Sequence, residues 1–168
     1  MHDARDRLIA CIPRLRRYAR ALVGDRARAD DLVQDTMERG WKHLADWRRD
    51  GDMRAWLFGI MHNLYVDQMR RPGLVTEELS EDMPVLHKVD ELTDNMALDD
   101  LEAGLRALPD EQRETLLLVV LEDMSYEEVA IALGVPIGTV MSRLSRARQR
   151  LRAHKEGRSA MPALKVVK

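Results

Sequence analysis

The sequence contains very little cysteine and few aromatic side chains. Its 168 residues include one cysteine, one phenylalanine, three tyrosines and three tryptophans. A single cysteine allows no internal disulfide and no cysteine-rich zinc site. Because Cys11 falls among apolar residues at helical spacing, we expect a small buried side chain in a reducing compartment.

Long apolar runs are also missing. The stretch 116–121 is among the longest, and it is far too short to cross a bilayer. The first residues do not show the charged and then apolar pattern of a secretion signal. From these features we expect a cytoplasmic protein.

The residue patterns typical of enzymes and metal proteins are absent too. The histidines are scattered at positions 2, 43, 62, 87 and 154. There is no Cys/His cluster, no phosphate-binding glycine loop and no nucleophile with a positioned base. Paired acids such as Asp99-Asp100 are typical of helix starts. We therefore expect no catalytic residues, no metal, no cofactor and no small-molecule substrate.

Charge is distributed unevenly along the chain, although the formal net charge is only −2. Counted along the sequence, residues 1–71 carry a net +4, residues 72–102 carry −9, and residues 103–168 carry +3. Two basic blocks separated by an acidic stretch indicate two domains and a linker, with each block able to approach a polyanion.

Apolar residues recur at helical spacing along most of the chain, and no useful strand alternation is present. A first helix is predicted around Leu8 to Ala19, with Pro13 near its start or at a kink. A second begins at Asp30-Asp31, with Leu32, Val33, Thr36, Met37 and Trp41 on or near one face. A third runs roughly from Met53 to Arg70. The predicted fold is all-α: two small helical domains joined by a flexible acidic linker, the C-terminal one containing a helix-turn-helix.

Residues 124–152 carry the helix-turn-helix pattern. Ser125 and Glu128 fit a capping box at the start of one short helix. Gly134 stands where a left-handed residue would end that helix, and Pro136 suits the start of the next. In the second helix we expect Val140, Leu144, Ala147 and Leu151 to face inward. Positions 143 to 155 hold six Lys/Arg residues and no acid, which favours nucleic-acid binding over a merely solvated face.

Four motifs in this order resemble those of bacterial RNA polymerase sigma factors of the extracytoplasmic-function (ECF) group. Asp31-Leu32-Val33-Gln34-Asp35 is similar to the acidic and apolar signature of region 2. Residues 54–63, which contain Trp56-Leu57, Ile60 and Asn63, are similar to the helix that melts and reads the −10 promoter element. Residues 108–113 and 125–148 are similar to region 4, which reads the −35 element. Met141 and Ser145 depart from the family pattern.

The resemblance implies a domain organisation and a set of partners. Residues 1–72 would form region 2, residues 73–98 the acidic linker, residues 99–155 region 4, and residues 156–168 a flexible tail. The implied function is an alternative sigma factor that directs promoter-specific initiation in response to a stress-type signal. The implied partners are core RNA polymerase, promoter DNA and an anti-sigma factor.

The resemblance also implies three groups of site residues. The core polymerase would be bound by Asp31, Leu32, Gln34, Asp35 and Glu38. The −10 element would be bound by Trp47, Arg48, Arg49, Asn63, Asp67, Arg70 and Arg71. The −35 element would be bound by Thr139, Ser142, Arg143, Arg146, Arg148 and Arg150. For Trp47, a core role and a pocket wall are equally supported by the sequence, whereas Trp56 lies within an apolar stripe and is expected in the core.

Two other functions fit parts of the sequence. The first is a helix-turn-helix regulator that binds duplex DNA without polymerase, which does not explain the motifs at residues 31–35 and 56–63. The second is a sigma-like decoy that titrates an anti-sigma factor and never touches DNA. The basic stripe from Arg143 to Lys155 argues against the decoy.

Overall fold

A computed structural model describes residues 2–71 and residues 98–160, which we call the first half and the second half. Every regular element in these ranges is helical, which confirms the all-α prediction. The predicted acidic linker and the last eight residues lie outside the described ranges. The helices are α1 (His2–Ala10), α2 (Ile12–Val23), α3 (Arg26–Lys42), a 3₁₀ turn (Leu44–Asp46), α4 (Met53–Met69), α5 (Leu98–Ala107), α6 (Asp110–Val120), α7 (Tyr126–Leu133) and α8 (Ile137–Ala160).

The first predicted helix is in fact two helices that meet at Cys11. Pro13 occupies the first turn of α2, where a missing N–H costs nothing. Cys11 is half-buried, and burial raises the pKa of its thiol. The predicted start of α3 at Asp30 is wrong, because Asp25 caps the helix five residues earlier by accepting from the Ala27 N–H at 3.0 Å.

The remaining elements of the first half follow the predicted pattern closely. The helix α4 spans Met53 to Met69, against a predicted range of Met53 to Arg70. Tyr18 and Phe58 meet edge to face in the core, with ring centroids 4.8 Å apart. Trp41 was predicted on or near the same face of α3 as Leu32 and Val33, but those two are buried and Trp41 is 48 % exposed.

The second half contains the expected helix-turn-helix. Ser125 Oγ accepts from the Glu128 N–H at 3.1 Å, and a Glu128 carboxylate oxygen accepts from the Ser125 N–H at 2.8 Å, so the capping box is complete. Gly134 has φ +65° and ends α7. The four predicted inward residues of α8 are all buried. This helix continues to Ala160, so the first five residues of the predicted flexible tail, 156–160, are helical.

The two halves pack against each other. Helix α2 contacts α6, and α4 contacts α7, so buried side chains from both halves form one continuous core. Within the described ranges, no single helix is long and apolar enough to cross a membrane. Only α7 and α8 taken together, across a 103° bend, reach the necessary length and hydropathy.

Candidate nucleic-acid interface

The apolar residues of α8 pack into the core, so the outer face of the helix is basic. Val140 and Leu144 fix the orientation of the helix, which leaves Arg146 and Arg150 exposed and Arg148 half-buried. The hydroxyl of Ser142 donates to the Gly138 carbonyl at 3.3 Å. Thr139 is half-buried in the first turn. A bend of 103° before this helix lies in the range of DNA-binding helix-turn-helix motifs.

Arg143 is placed differently from the other arginines of this helix. Its side chain is only 19 % exposed and lies 3.7 Å from a Glu111 carboxylate oxygen. It lines a cleft of about 350 Å³ between the halves, together with His62 and Glu114. A contact from Arg143 to DNA therefore requires the side chain to leave this cleft.

A second cleft, of about 710 Å³, is bordered by the 47–52 loop and by α4. The structure brings Trp47, Arg48 and Asn63 together on its walls. Trp47 is 7 % exposed and packs into the core, while its ring lies 5.9 Å from the Arg7 guanidinium. It therefore combines the two roles that the sequence left open, core packing and a cleft wall. Trp56, expected in the core, is half-buried and also lines the cleft.

The other predicted −10 residues lie away from this cleft. Arg49 borders a separate pocket with Trp41 and Arg5. Asp67, Arg70 and Arg71 are exposed at and beyond the C-terminal end of α4. The structure thus places three of the seven predicted residues at one cleft and the other four outside its lining.

The opposite wall of the larger cleft comes from the second half of the molecule. Helix α7 contributes Glu128, Ile131 and Ala132 to the lining. Ile131 is 81 % exposed, so an apolar side chain borders the space in front of Asn63. Sequence reasoning missed this wall because no local pattern in α7 indicates which part of the chain it will face.

One exposed stripe of α3 carries three acids, and Arg39 and Lys42 are exposed beside it. Asp31, Gln34, Asp35 and Glu38 all point to solvent, and Glu38 pairs with Lys42 at 2.9 Å. Leu32 is completely buried, so its predicted place on this surface is wrong and its role is to anchor the helix. Trp41 extends the same exposed face, and the Arg5 guanidinium lies 5.0 Å from its ring.

A buried acid–histidine pair lines the smaller cleft. His62 Nδ1 is 2.7 Å from Glu114 Oε1, and the Glu114 side chain is almost fully buried. Burial raises the pKa of Glu114, and the hydrogen bond with His62 opposes that rise. Within the described ranges, no three His, Cys, Asp or Glu side chains are grouped so as to hold a metal ion.

Comparison with known proteins gives two family matches in chain order. The family model described as the Sigma2 domain of PhyR matches residues 8–62, and the model of Sigma-70 region 4 matches residues 98–151. The chain is 35 % identical to the ECF RNA polymerase sigma factor EcfG of Rhodopseudomonas palustris, over 89 % of this chain and 83 % of that protein. It is 37 % identical to the ECF RNA polymerase sigma factor SigE of Mycolicibacterium smegmatis, over 83 % of this chain and 56 % of that protein.

A solved structure supports the same assignment. The sigma factor RpoE of Bartonella quintana, crystallised with the anti-sigma factor NepR, superposes with a TM-score of 0.78 at 32 % identity. The match covers 93 % of this chain and 98 % of that one. Sigma factors are regulators of transcription and not enzymes. The basic helix-turn-helix, the cleft at Asn63 and these matches together place the chain in the extracytoplasmic-function family of RNA polymerase sigma factors, as an alternative sigma factor.

Proposed function

We propose that this sigma factor docks on core RNA polymerase through the exposed face of α3 and reads promoters with two separate surfaces. The docking residues are Asp31, Gln34, Asp35, Glu38 and Trp41. An exposed acidic helix with an exposed tryptophan suits a basic partner surface with an apolar pocket, because Trp is enriched in protein interfaces. Residues 1–72 serve as region 2 and residues 99–155 as region 4.

The −35 element is read by α8. Its N-terminal half enters the major groove, where Arg146 donates to guanine or to phosphate. Arg148 and Arg150 neutralise phosphates, and Thr139 and Ser142 donate to backbone oxygens. Met141, which is 53 % exposed, offers an apolar contact of the kind that suits a thymine methyl group. The observation that carries the proposal is this basic face on a helix-turn-helix. The cleft at Asn63 is consistent with it.

The −10 element is opened at the larger cleft. A flipped base costs a few kcal/mol, which stacking and hydrogen bonds in a pocket repay. Asn63 is exposed and offers both a donor and an acceptor to the base edge. Arg48 on the cleft wall neutralises the single-stranded backbone, and Arg49, Arg70 and Arg71, which lie outside the cleft lining, extend that contact. Asp67 lies one turn beyond Asn63 on the same helix.

The partners follow from these surfaces. Core polymerase and promoter DNA are required for activity, and the chain has no catalytic activity of its own. The structure of the Bartonella quintana relative contains an anti-sigma factor, and we propose a partner of that class here. Because its binding partners, core polymerase and chromosomal DNA, are in the cytoplasm, the protein acts there.

Run-off transcription with core polymerase and genomic promoter fragments tests the function. We expect initiation at a small set of promoters only when the sigma factor is present. Absence of promoter-specific initiation on every fragment would defeat the proposal. If the free chain bound promoter DNA with the same affinity and specificity as the holoenzyme, the result would instead support an ordinary helix-turn-helix regulator. Binding to an anti-sigma factor alone, with no binding to DNA or polymerase, would support a decoy.

The Arg146→Ala variant tests the −35 surface. A guanine contact predicts a loss of about 1–3 kcal/mol at one promoter position, and a phosphate contact predicts a uniform loss with a salt slope reduced by about 1. Holoenzyme binding to promoter fragments at several salt concentrations separates the two. Arg14→Ala, an exposed arginine on α2, is the matched control. Loss of core polymerase binding by Arg146→Ala would indicate misfolding and remove the support for this surface.

A further inference from the structure

A pocket of about 380 Å³ lies next to the cleft at Asn63 and shares Trp47 with it. Its walls come from the start of α1, the C-terminal end of α3 and the segment that follows α3, which includes Arg49. We call it the α1 pocket. Because every residue of its lining belongs to the first half of the molecule, the pocket is complete within that half.

The α1 pocket is basic. Arg5, Lys42 and Arg49 line it, and no acid of the described ranges is among its lining residues. Lys42 is paired with Glu38 at 2.9 Å, which leaves Arg5 and Arg49 as the stronger cations. Both are exposed, and neither guanidinium is paired with a carboxylate in the part of the chain that the structure describes. Cations that share a pocket without an acid raise its affinity for an anion.

Aromatic rings border these cations. The Arg5 guanidinium carbon lies 5.0 Å from the centroid of the Trp41 ring, and the Arg7 guanidinium carbon lies 5.9 Å from that of Trp47. A contact with an aromatic ring orients a guanidinium without neutralising its charge, so its N–H groups can still donate to a phosphate. A basic groove with aromatic side chains is typical of surfaces that bind single-stranded nucleic acid.

The α1 pocket continues the surface proposed for the −10 element. Trp47 forms a wall of both the cleft and the pocket. The consecutive residues Arg48 and Arg49 line the cleft and the pocket, respectively. Since consecutive Cα atoms are about 3.8 Å apart, a DNA strand that leaves the cleft along this segment enters the α1 pocket directly.

We propose that the α1 pocket is a phosphate subsite for the single-stranded −10 DNA, in which Arg5 and Arg49 bind the phosphodiester beside the flipped base. This inference rests on the proposed function and adds Arg5, which no sequence motif indicated, to its DNA-binding residues. The guanidinium N–H groups donate to the phosphate oxygens, and the phosphate neutralises two cations that lack an acid. Fixing this phosphate holds the strand next to the cleft and so favours the flipped state of the base.

Arg5→Ala tests the subsite in the holoenzyme. The probe is a promoter found by run-off transcription, double-stranded at the −35 element and single-stranded on the non-template strand at the −10 element. We expect affinity to fall about threefold to tenfold, and the slope of log affinity against log salt to fall by about 0.7, since one contact to a single-strand phosphate is lost.

Two further variants control this measurement. Arg14→Ala removes the same charge from an exposed position on α2, outside the lining of the pocket and of both clefts, and should change neither the affinity nor the slope. Arg5→Lys keeps the positive charge and should keep the slope. An equal loss of slope in Arg5→Lys and Arg5→Ala would overturn the role of charge at this position.

Neutral methylphosphonate linkages identify the phosphate that is bound. Each linkage of the single-stranded segment is replaced in turn, and the binding of wild-type and Arg5→Ala holoenzyme is compared. We expect one linkage beside the flipped base to weaken wild-type binding about threefold to tenfold and to have little effect on Arg5→Ala, because the two changes remove the same contact. If every linkage weakened both proteins equally, Arg5 would contact no particular phosphate and the subsite would be disproved.

Core polymerase binding is measured for the same variants, because Trp41 borders both the α1 pocket and the proposed docking face of α3. We expect Arg5→Ala to leave it unchanged. A loss of core binding with an unchanged salt slope on the DNA probe would assign the pocket to the polymerase and overturn the inference, as would identical results for Arg5→Ala and Arg14→Ala. Failure of the wild-type holoenzyme to bind any promoter probe would instead defeat the proposed function.

Discussion

Two glutamates are buried between the halves of this sigma factor, and their environments differ in one respect. Glu122 has a permanently charged partner in Arg17, whereas Glu114 has His62, whose charge depends on protonation. Burial raises the pKa of both carboxyl groups, and the hydrogen bond that each accepts opposes the rise. Both carboxyl groups therefore make the stability of the folded molecule depend on pH.

Replacing Glu114 with Gln is expected to flatten the pH dependence of stability. With a raised pKa in the folded state, Glu114 holds its proton to a higher pH than in the unfolded chain, so the free energy of unfolding falls as pH rises through that pKa. The loss is about 1.4 kcal/mol for a pKa difference of one. Gln has no proton to lose. The free energy of unfolding of both proteins is measured in urea at several pH values, from the ordinary titration range of glutamate up to neutral pH. Glu127→Gln, at an exposed position, is the control. Parallel curves for wild type and Glu114→Gln would contradict this account.

Several single residues were located correctly by the sequence and others were not. The inward positions of α8, such as Leu144, follow from helical periodicity alone. Leu32 and Trp41 were assigned the wrong environments, because both are apolar residues on α3 and only the packing of α1, α2 and α4 decides which one is covered. A resemblance to family motifs does not distinguish a buried anchor from an exposed contact.

At the scale of elements, the helix-turn-helix is defined by short-range signals. The Ser125–Glu128 capping box starts α7 and Gly134 ends it in a left-handed conformation. Gly134 and Gly138 both have open space around an added Cβ, but only Gly134 has a positive φ. Comparing substitutions at these two glycines therefore measures the effect of backbone φ without a difference in steric contact.

Substituting these two glycines with alanine is expected to change stability in opposite directions. Gly134→Ala must hold a Cβ in the left-handed region and should destabilise the chain by about 1–2 kcal/mol. Gly138→Ala lies in the first turn of α8 and should stabilise it by up to about 1 kcal/mol. Thermal and urea unfolding measure both. Equal destabilisation by the two variants would show that local crowding, and not φ, governs this turn.

The boundaries of elements were predicted well where a strong local signal exists. At the start of α6 such a signal is present, because Pro109 is the N-cap residue and Asp110 and Glu111 lie in the first turn. The start of α3 was missed because the N-cap, Asp25, directly follows Gly24, which ends α2, and the apolar pattern of α3 starts only at Leu32. The end of α8 was missed because three residues beyond Gly157 remain helical without a periodic apolar pattern.

At the scale of the whole molecule, stability and function meet at the interface between the halves. The contacts of Arg17 and Arg54 join residues that are separated by 104 and 68 positions in sequence. Contacts of this kind are polar bonds that join the two halves at the edge of the apolar core.

A double-mutant cycle between Arg17→Ala and Glu122→Gln measures this coupling. Because the Glu122 side chain is fully buried and its partner is charged, we expect a coupling energy of about 1–3 kcal/mol in urea unfolding. The exposed i,i+4 pair of Arg7 and Asp3 is the control, with an expected coupling of about 0.3–0.5 kcal/mol. Equal couplings for the two pairs would mean that the interface opens before the molecule unfolds.

The sequence by itself determined the helices, the helix-turn-helix with its basic face, and the resemblance to sigma factors, because periodicity, capping and turn signals act over a few residues. Only the tertiary structure decided that Leu32 is an anchor, that Trp41 is exposed, and that Arg143 is turned toward Glu111. It alone paired Arg17 and Arg106 with helix ends in the opposite half. The physical reason is that the residues next to an arginine do not show which distant group it will bond. The end of a helix in the other half comes within reach only after the two halves have packed, so local sequence patterns cannot identify it.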